Sequence, residues 1–189
     1  METKFEKLEK VLSELNISDK ELIDWFNNRG KDKTGLIPTE LPLVYRRGNV
    51  LTVENGLNLS RKHELWGIQR LSGVMVALKC GPGNNVSKTT YEEIKKFAQK
   101  MHFKDKPGFL PSQDVLKEHW GTEEQTRFAA TVEILKENGI EADAYWGYIL
   151  CSEEYNPYTA YYFNLKDGCN DWGSKSTTGY RDRIAVAFN

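Results

Sequence analysis

The chain has 189 residues, 28% charged and 39% hydrophobic, and its 26 lysines and arginines balance 27 aspartates and glutamates to a net charge of −1. That balance sets up no field to draw in phosphate backbones or anionic lipid, so no nucleic acid partner is expected. The length fits one full domain with a short appendage, and without a run of about 18 apolar residues no membrane insertion is expected.

The opening METKFEKLEKVLSELN has no apolar h-region, which implies cytoplasmic synthesis without a secretion signal. Phe5, Leu8, Leu12 and Leu15 recur at helical spacing. Ser18 to Glu21 has capping-box spacing before a second helix carrying Leu22, Ile23, Trp25 and Phe26, and Gly30 suits its C-terminal cap. Residues 1–40 therefore read as a helical hairpin and linker, 31–42 being rich in Gly, Pro, Lys and Asp. The hairpin would brace the main domain or attach it to a larger assembly, a homo-oligomer among them.

From Leu43 the period becomes strand-like. Asn55-Gly56 between Val50–Val53 and Leu57–Leu59 predicts a two-residue hairpin. Residues 73–78 (GVMVAL) have the length of a buried strand, and 79–88 (with Gly81-Pro82-Gly83) form a loop. Helices are predicted over Thr90–Met101 and Thr122–Asn138, the second closing on Asn138-Gly139, with GFLPSQDVL between them. Strands and turns then run to Asn189. Helices framed by strands give an α+β class rather than a doubly wound sheet, with the sheet joining the domain's two ends.

Residues 145–189 hold half of the chain's aromatics, among them Tyr155, Tyr158, Tyr161, Tyr162, Trp172 and Tyr180, interleaved with Asn, Ser and Thr. Tyrosine gives contact area at little rotamer entropy and short polar residues give adaptable hydrogen bonds, a mixture that suits a binding surface. The same mixture suits strands and turns, so about half of these rings are expected in the core or on the sheet.

Ser152, Glu154, Ala160-Tyr161-Tyr162, Asn164, Gly168, Lys175, Tyr180-Arg181, Arg183 and Val186 follow a recurring terminal pattern, and Leu110-Pro111-Ser112 with Leu116 matches a Leu-Pro-Ser/Thr…Leu element upstream. On these residues, 41–189 resembles a family of bacterial C-type-lectin-like domains, related to formylglycine-generating enzymes and to the variable proteins of diversity-generating retroelements. Leu150 and Cys151 depart from its usual Trp-Ser, and Ile184-Ala185 from its Pro-Val. The resemblance implies a C-type-lectin-like fold over 41–189, two helices against a small antiparallel sheet. It also implies a structural role for Arg183 and a place among retroelement-diversified or phage receptor-binding proteins, hence in a virion.

The three cysteines, Cys80, Cys151 and Cys169, have no Cys-x-x-Cys spacing and read as free buried thiols. His63, His102 and His119 lack zinc spacing, the acidic tripeptides are turns rather than calcium ligands, and Gly81-Pro82-Gly83 is no phosphate loop, so no cofactor or metal is called for. The expected function is a non-catalytic module binding a protein or glycan. Its anchors would be Tyr158, Trp172 and Tyr180, with Asn156, Asn170, Asp171, Ser174, Lys175 and Thr178 as polar contacts. The alternatives are an oxidase or maturase of the formylglycine-generating type using Cys151 and Cys169, and a permanent oligomer interface at the aromatic face.

Overall fold

Alternating and uniformly apolar stretches become strands throughout the chain. The computed structural model describes residues 18, 36–71, 73–80, 89–142, 148–165, 167–176 and 183–189. Apart from Ser18, the expected N-terminal hairpin lies outside these residues. The strands are β1 (Leu36–Ile37), β2 (Leu43–Arg47), β3 (Val50–Glu54), β4 (Leu57–Asn58), β5 (Leu65–Leu71) and β6 (Val74–Cys80), then β7 (His102–Phe103), β8 (Lys106–Pro107), β9 (Tyr148–Asn156), β10 (Thr159–Asn164), β11 (Asn170–Ser174) and β12 (Arg183–Ala187). The α-helices are α1 (Tyr91–Lys100), α2 (Gln113–His119) and α3 (Thr122–Glu137).

Ten of the strands form one sheet in the order β11-β10-β9-β12-β6-β5-β2-β3-β7-β8, while β1 and β4 pair apart from it. This mostly β architecture overturns the expected α+β class and its C-type-lectin-like fold of two helices against a small antiparallel sheet. The sheet is large and mixed, with parallel pairs β3–β7 and β9–β12. The final strand lies between β6 and β9 rather than against β2, so the sheet does not join the domain's two ends by direct pairing. All five residues of β12 are buried, which requires cover on both faces. That cover comes from α1 on one side, where Tyr91, Ile94 and Ala98 pack with Met75, Leu150, Tyr162 and Val186. On the other side α3 brings Phe128, Val132 and Leu135 onto Leu43, Tyr45 and Ile68, and α2 brings Leu116 onto Val76, Ile149 and Phe163.

Local chemistry sets the helix ends. Thr90 and Glu93 form a reciprocal capping box at α1: the Glu93 N–H donates to the Thr90 hydroxyl and the Thr90 N–H to the Glu93 carboxylate. The unforeseen helix α2 starts at Ser112, whose Oγ accepts from the Val115 N–H at 3.2 Å. Both oxygens of Glu153, on β9, take the Gln113 N–H at 3.0 and 3.1 Å and pin that helix to the sheet. α3 ends as predicted, with Gly139 at φ +73° just beyond it.

The predicted Asn55-Gly56 hairpin is not formed. β3 turns back on β2 through Gly48-Asn49, with Arg47 opposite Val50 and Gly48 at φ +60°. A glycine at the first central position satisfies a two-residue hairpin as well as Asn-Gly does. Both sheet edges are blunted: β8 is two residues long and ends in Pro107, and on β11 the Asp171 carboxylate takes the Trp172 N–H at 2.8 Å. Among the described residues no helix is long and apolar enough to cross a membrane.

Candidate functional site

α2 is only seven residues long and covers only part of the face of β9 and β10 beneath it. Phe163 on that face is fully buried against the helix cluster, and Tyr161 is partly buried at its margin. Beyond Tyr161 the apolar face continues into solvent. The Tyr155 ring meets Tyr161 edge-on, centroids 5.5 Å apart at 89°, and stacks on Trp172 at 5.3 Å and 11°. Tyr155 and Trp172 come from strands separated by β10, so the two rings lean toward each other above Tyr161 as a raised ridge. They are 52% and 56% exposed, and Tyr158 at the tip of the β9–β10 turn is 81% exposed. Exposed large rings in contact with one another are the kind of apolar surface that marks an interaction site.

The polar residues expected to line this face mainly shape it. Asn156 Oδ1 accepts from the N–H groups of Tyr158 and Thr159 at 2.8 and 2.9 Å and builds the turn that lifts Tyr158. Asp171 is exposed but holds its neighbour's N–H, and Ser174 Oγ is 2.9 Å from Ser176 Oγ. Asn170 Oδ1 is buried without a hydrogen-bond partner. Gly173, between Trp172 and Ser174, leaves room for the Tyr162 ring, which a Cβ would approach to 3.1 Å. Thr178 and Tyr180 lie outside the described residues.

Lys175 is a tie rather than a free cation. Its Nζ is 2.6 Å from Glu154 Oε2 and 3.2 Å from the Pro157 carbonyl, and it lies 5.4 Å from the centroid of the buried Tyr91 ring. Its carbonyl accepts the Tyr91 N–H at 3.0 Å, which fastens the end of β11 to the start of α1. Burial chiefly, with the charge of Glu154 next, pushes the Tyr91 phenol up to about 12, and its hydroxyl donates to the Ser152 carbonyl. The hydrogen bond from Lys175 holds the Glu154 carboxyl below its ordinary value. A depressed folded-state pKa means that this tie contributes fully above about pH 4.3 and is lost as the pH falls through the lower folded value. The urea midpoint of the wild type should therefore drop on acidification from about pH 6 to pH 3, and that of Glu154→Gln should drop less.

The cysteine pair required by the oxidase alternative is not assembled. Cys151 is buried and Cys169 exposed, and both are free. Cys169 lies just before β11, where its carbonyl accepts the Asn164 N–H, and Asn164 stands opposite Tyr148, so it sits at a different level of the sheet from Cys151 on β9. Burial pushes the Cys151 thiol far up, away from the reactive thiolate. Native protein treated with iodoacetamide at pH 8 should therefore be alkylated at Cys169 and not at Cys151, by peptide mass mapping. Among the described residues no three His, Cys, Asp or Glu side chains come together as a metal-ligand set.

The ridge unites one expected anchor, Trp172, with two rings that the sequence did not single out, Tyr155 and Tyr161. Tyr161 shares a period of two with the core residues Phe163 and Leu165, which was a usable signal. Tyr155 likewise shares a period of two with Ile149 and Cys151, buried on the same face, whereas its contact across β10 passes register shifts at Thr159/Ala160 and Ala160/Tyr162 that no local pattern shows. No protein-family model matches the chain, and no curated protein matches it either.

Proposed function

We propose that this chain is a non-catalytic binding module that docks on the surface of a protein partner through the Tyr155–Trp172 ridge. The observation that carries this reading is the exposed stacked pair, 5.3 Å between centroids, on a sheet face that α2 leaves uncovered. Stacking occupies one face of each ring, so the pair offers edges and a raised profile rather than two open platforms for sugar rings. A raised Trp-Tyr pair fits a pocket on a partner, as interface hot spots do. Bulges beside it and the Lys175–Glu154 tie hold the ridge on a stiff base, which lowers the ordering cost of binding.

The test is a binding screen of the whole chain against parallel protein and glycan arrays, with Trp172→Ala as the comparison. A protein ligand bound by the wild type and lost in the variant supports the reading. A glycan lost in the same way moves the site to carbohydrate, and ligands retained by the variant place binding elsewhere.

A further inference from the structure

The neighbouring strands β9 and β12 run parallel, and among the described residues they pair at a single position, Arg183 opposite Ile149. Toward their carboxyl ends the segment leading into α2 is wedged between them. Phe109 exchanges both backbone hydrogen bonds with Ala187 of β12, at 3.0 and 2.8 Å, and the Pro111 carbonyl accepts the Ser152 N–H of β9 at 2.9 Å. α1 packs on one face of the sheet and α2 on the other. Parallel neighbours that part at their carboxyl ends, with helices on opposite faces, leave a crevice, and open parallel sheets hold their ligands in such crevices.

A cleft of about 200 Å³ opens at this place. Phe109, Leu110 and Val115 give it apolar walls, and Lys95, Ser112 and Ser152 add polar groups to its lining. An apolar cavity of about 150 Å³ holds a benzene molecule, so this cleft has room for one ring with a short arm. Its walls are preset. Gly108, where a Cβ would fall 2.3 Å from Val186 Cγ1 and 2.7 Å from the Ala98 carbonyl oxygen, lets the wedge pack directly on β12 and α1. A preformed apolar cleft with a few convergent polar groups is the usual form of a small-molecule site.

The charges around the cleft select the ligand. Glu154 is held by Lys175, and both oxygens of Glu153 take the Gln113 N–H. Lys95 makes no ion pair among the described residues: its Nζ lies 5.7 Å from the Tyr91 ring centroid and acts on Glu154 by charge alone. The Ser112 hydroxyl accepts from the Val115 N–H and so keeps its own proton to donate. An amine would meet Lys95 as a like charge, and a neutral ligand would leave that cation unused. From the parted strands, the apolar walls and the unpaired Lys95, we infer that the cleft binds a small carboxylate with a single-ring apolar body, the ring against Phe109, Leu110 and Val115 and the carboxylate at Lys95. The site shares no residue with the Tyr155–Trp172 ridge and does not depend on it.

The test is a titration of the nitrogen-15-labelled whole chain with phenylpropionate, read by amide shifts, with phenylpropanol and phenylpropylamine as the neutral and cationic analogues at matched ionic strength. The acid should bind with a Kd of about 1 mM, shifting amides in 95–99, 109–115 and 152 and leaving the Trp172 indole N–H in place. The alcohol should bind about fivefold more weakly, the worth of one partly exposed ion pair, and the amine more weakly still. Lys95→Gln should bring the acid down to the alcohol's affinity and leave the alcohol unchanged, and Val115→Trp, which fills the cleft, should abolish both. Lys95 and Val115 are each partly exposed, so both variants should fold. In the wild type alone, an acid bound no better than the alcohol, shifts centred on Trp172, or no saturable shift up to about 20 mM overturns the inference.

Discussion

Alanine at position 67 should leave little folded protein. Gly67 lies inside β5, opposite Ala77 of β6 and Val44 of β2, in the middle of the sheet. A Cβ built there would fall 1.8 Å from the Val76 carbonyl oxygen and 2.5 Å from its carbon. Both atoms are backbone, so no rotamer change relieves the clash and β6 itself must move. Moving it disturbs the pairing with β12, which Met75 and Val76 also carry, and the core packed on both faces. The expected loss is about 4 kcal/mol or more, a large share of the 5–15 kcal/mol that holds a typical domain together. Gly48→Ala is the comparison. Nothing lies within 4 Å of a Cβ at Gly48, and only its φ of +60° disfavours a side chain, so about 1 kcal/mol is expected. Urea midpoints of the two variants, or soluble yield where Gly67→Ala cannot be purified, separate steric exclusion from backbone strain.

Gly67 also shows where the sequence stopped being informative. The predicted cores of β6, α1 and α3 rest on local signals, an apolar run, helical spacing of apolar residues and a terminal glycine, and each appears within a residue or two of its expected place. Pairing is a long-range property, and a period of two says only that a strand exists and which residues share its face. Nothing local placed β12 between β6 and β9, or added His102–Phe103 to the sheet beside β3. The lectin-like expectation failed at that level, because a terminal motif constrains one hairpin but not the number of strands beyond it. The site divides in the same way. Asn156 was legible as a turn residue, whereas the meeting of Tyr155 with Trp172 depends on register shifts that no local pattern encodes.

With the ligand in hand, Trp172→Ala and Tyr155→Ala should each weaken binding by about 30-fold, the effect of a central aromatic anchor of about 2 kcal/mol. Stability should barely move, because both rings are more than half exposed and contribute little to the core. The double variant should lose less than the sum of the two, since each ring is held by the other across 5.3 Å. A coupling of about 0.5–1.5 kcal/mol is expected for such a pair, measurable in a double-mutant cycle by titration calorimetry. Tyr158→Ala distinguishes the ridge from the turn tip: its ring is 81% exposed and touches neither member of the stack in any ring contact. If the tip rather than the ridge carries binding, Tyr158→Ala will abolish it while the stacked pair can be removed without effect. If the ridge carries it, Tyr158 will contribute less than either stacked ring, because an isolated mobile ring must lose its rotamer freedom on docking whereas the stacked ones have already lost theirs.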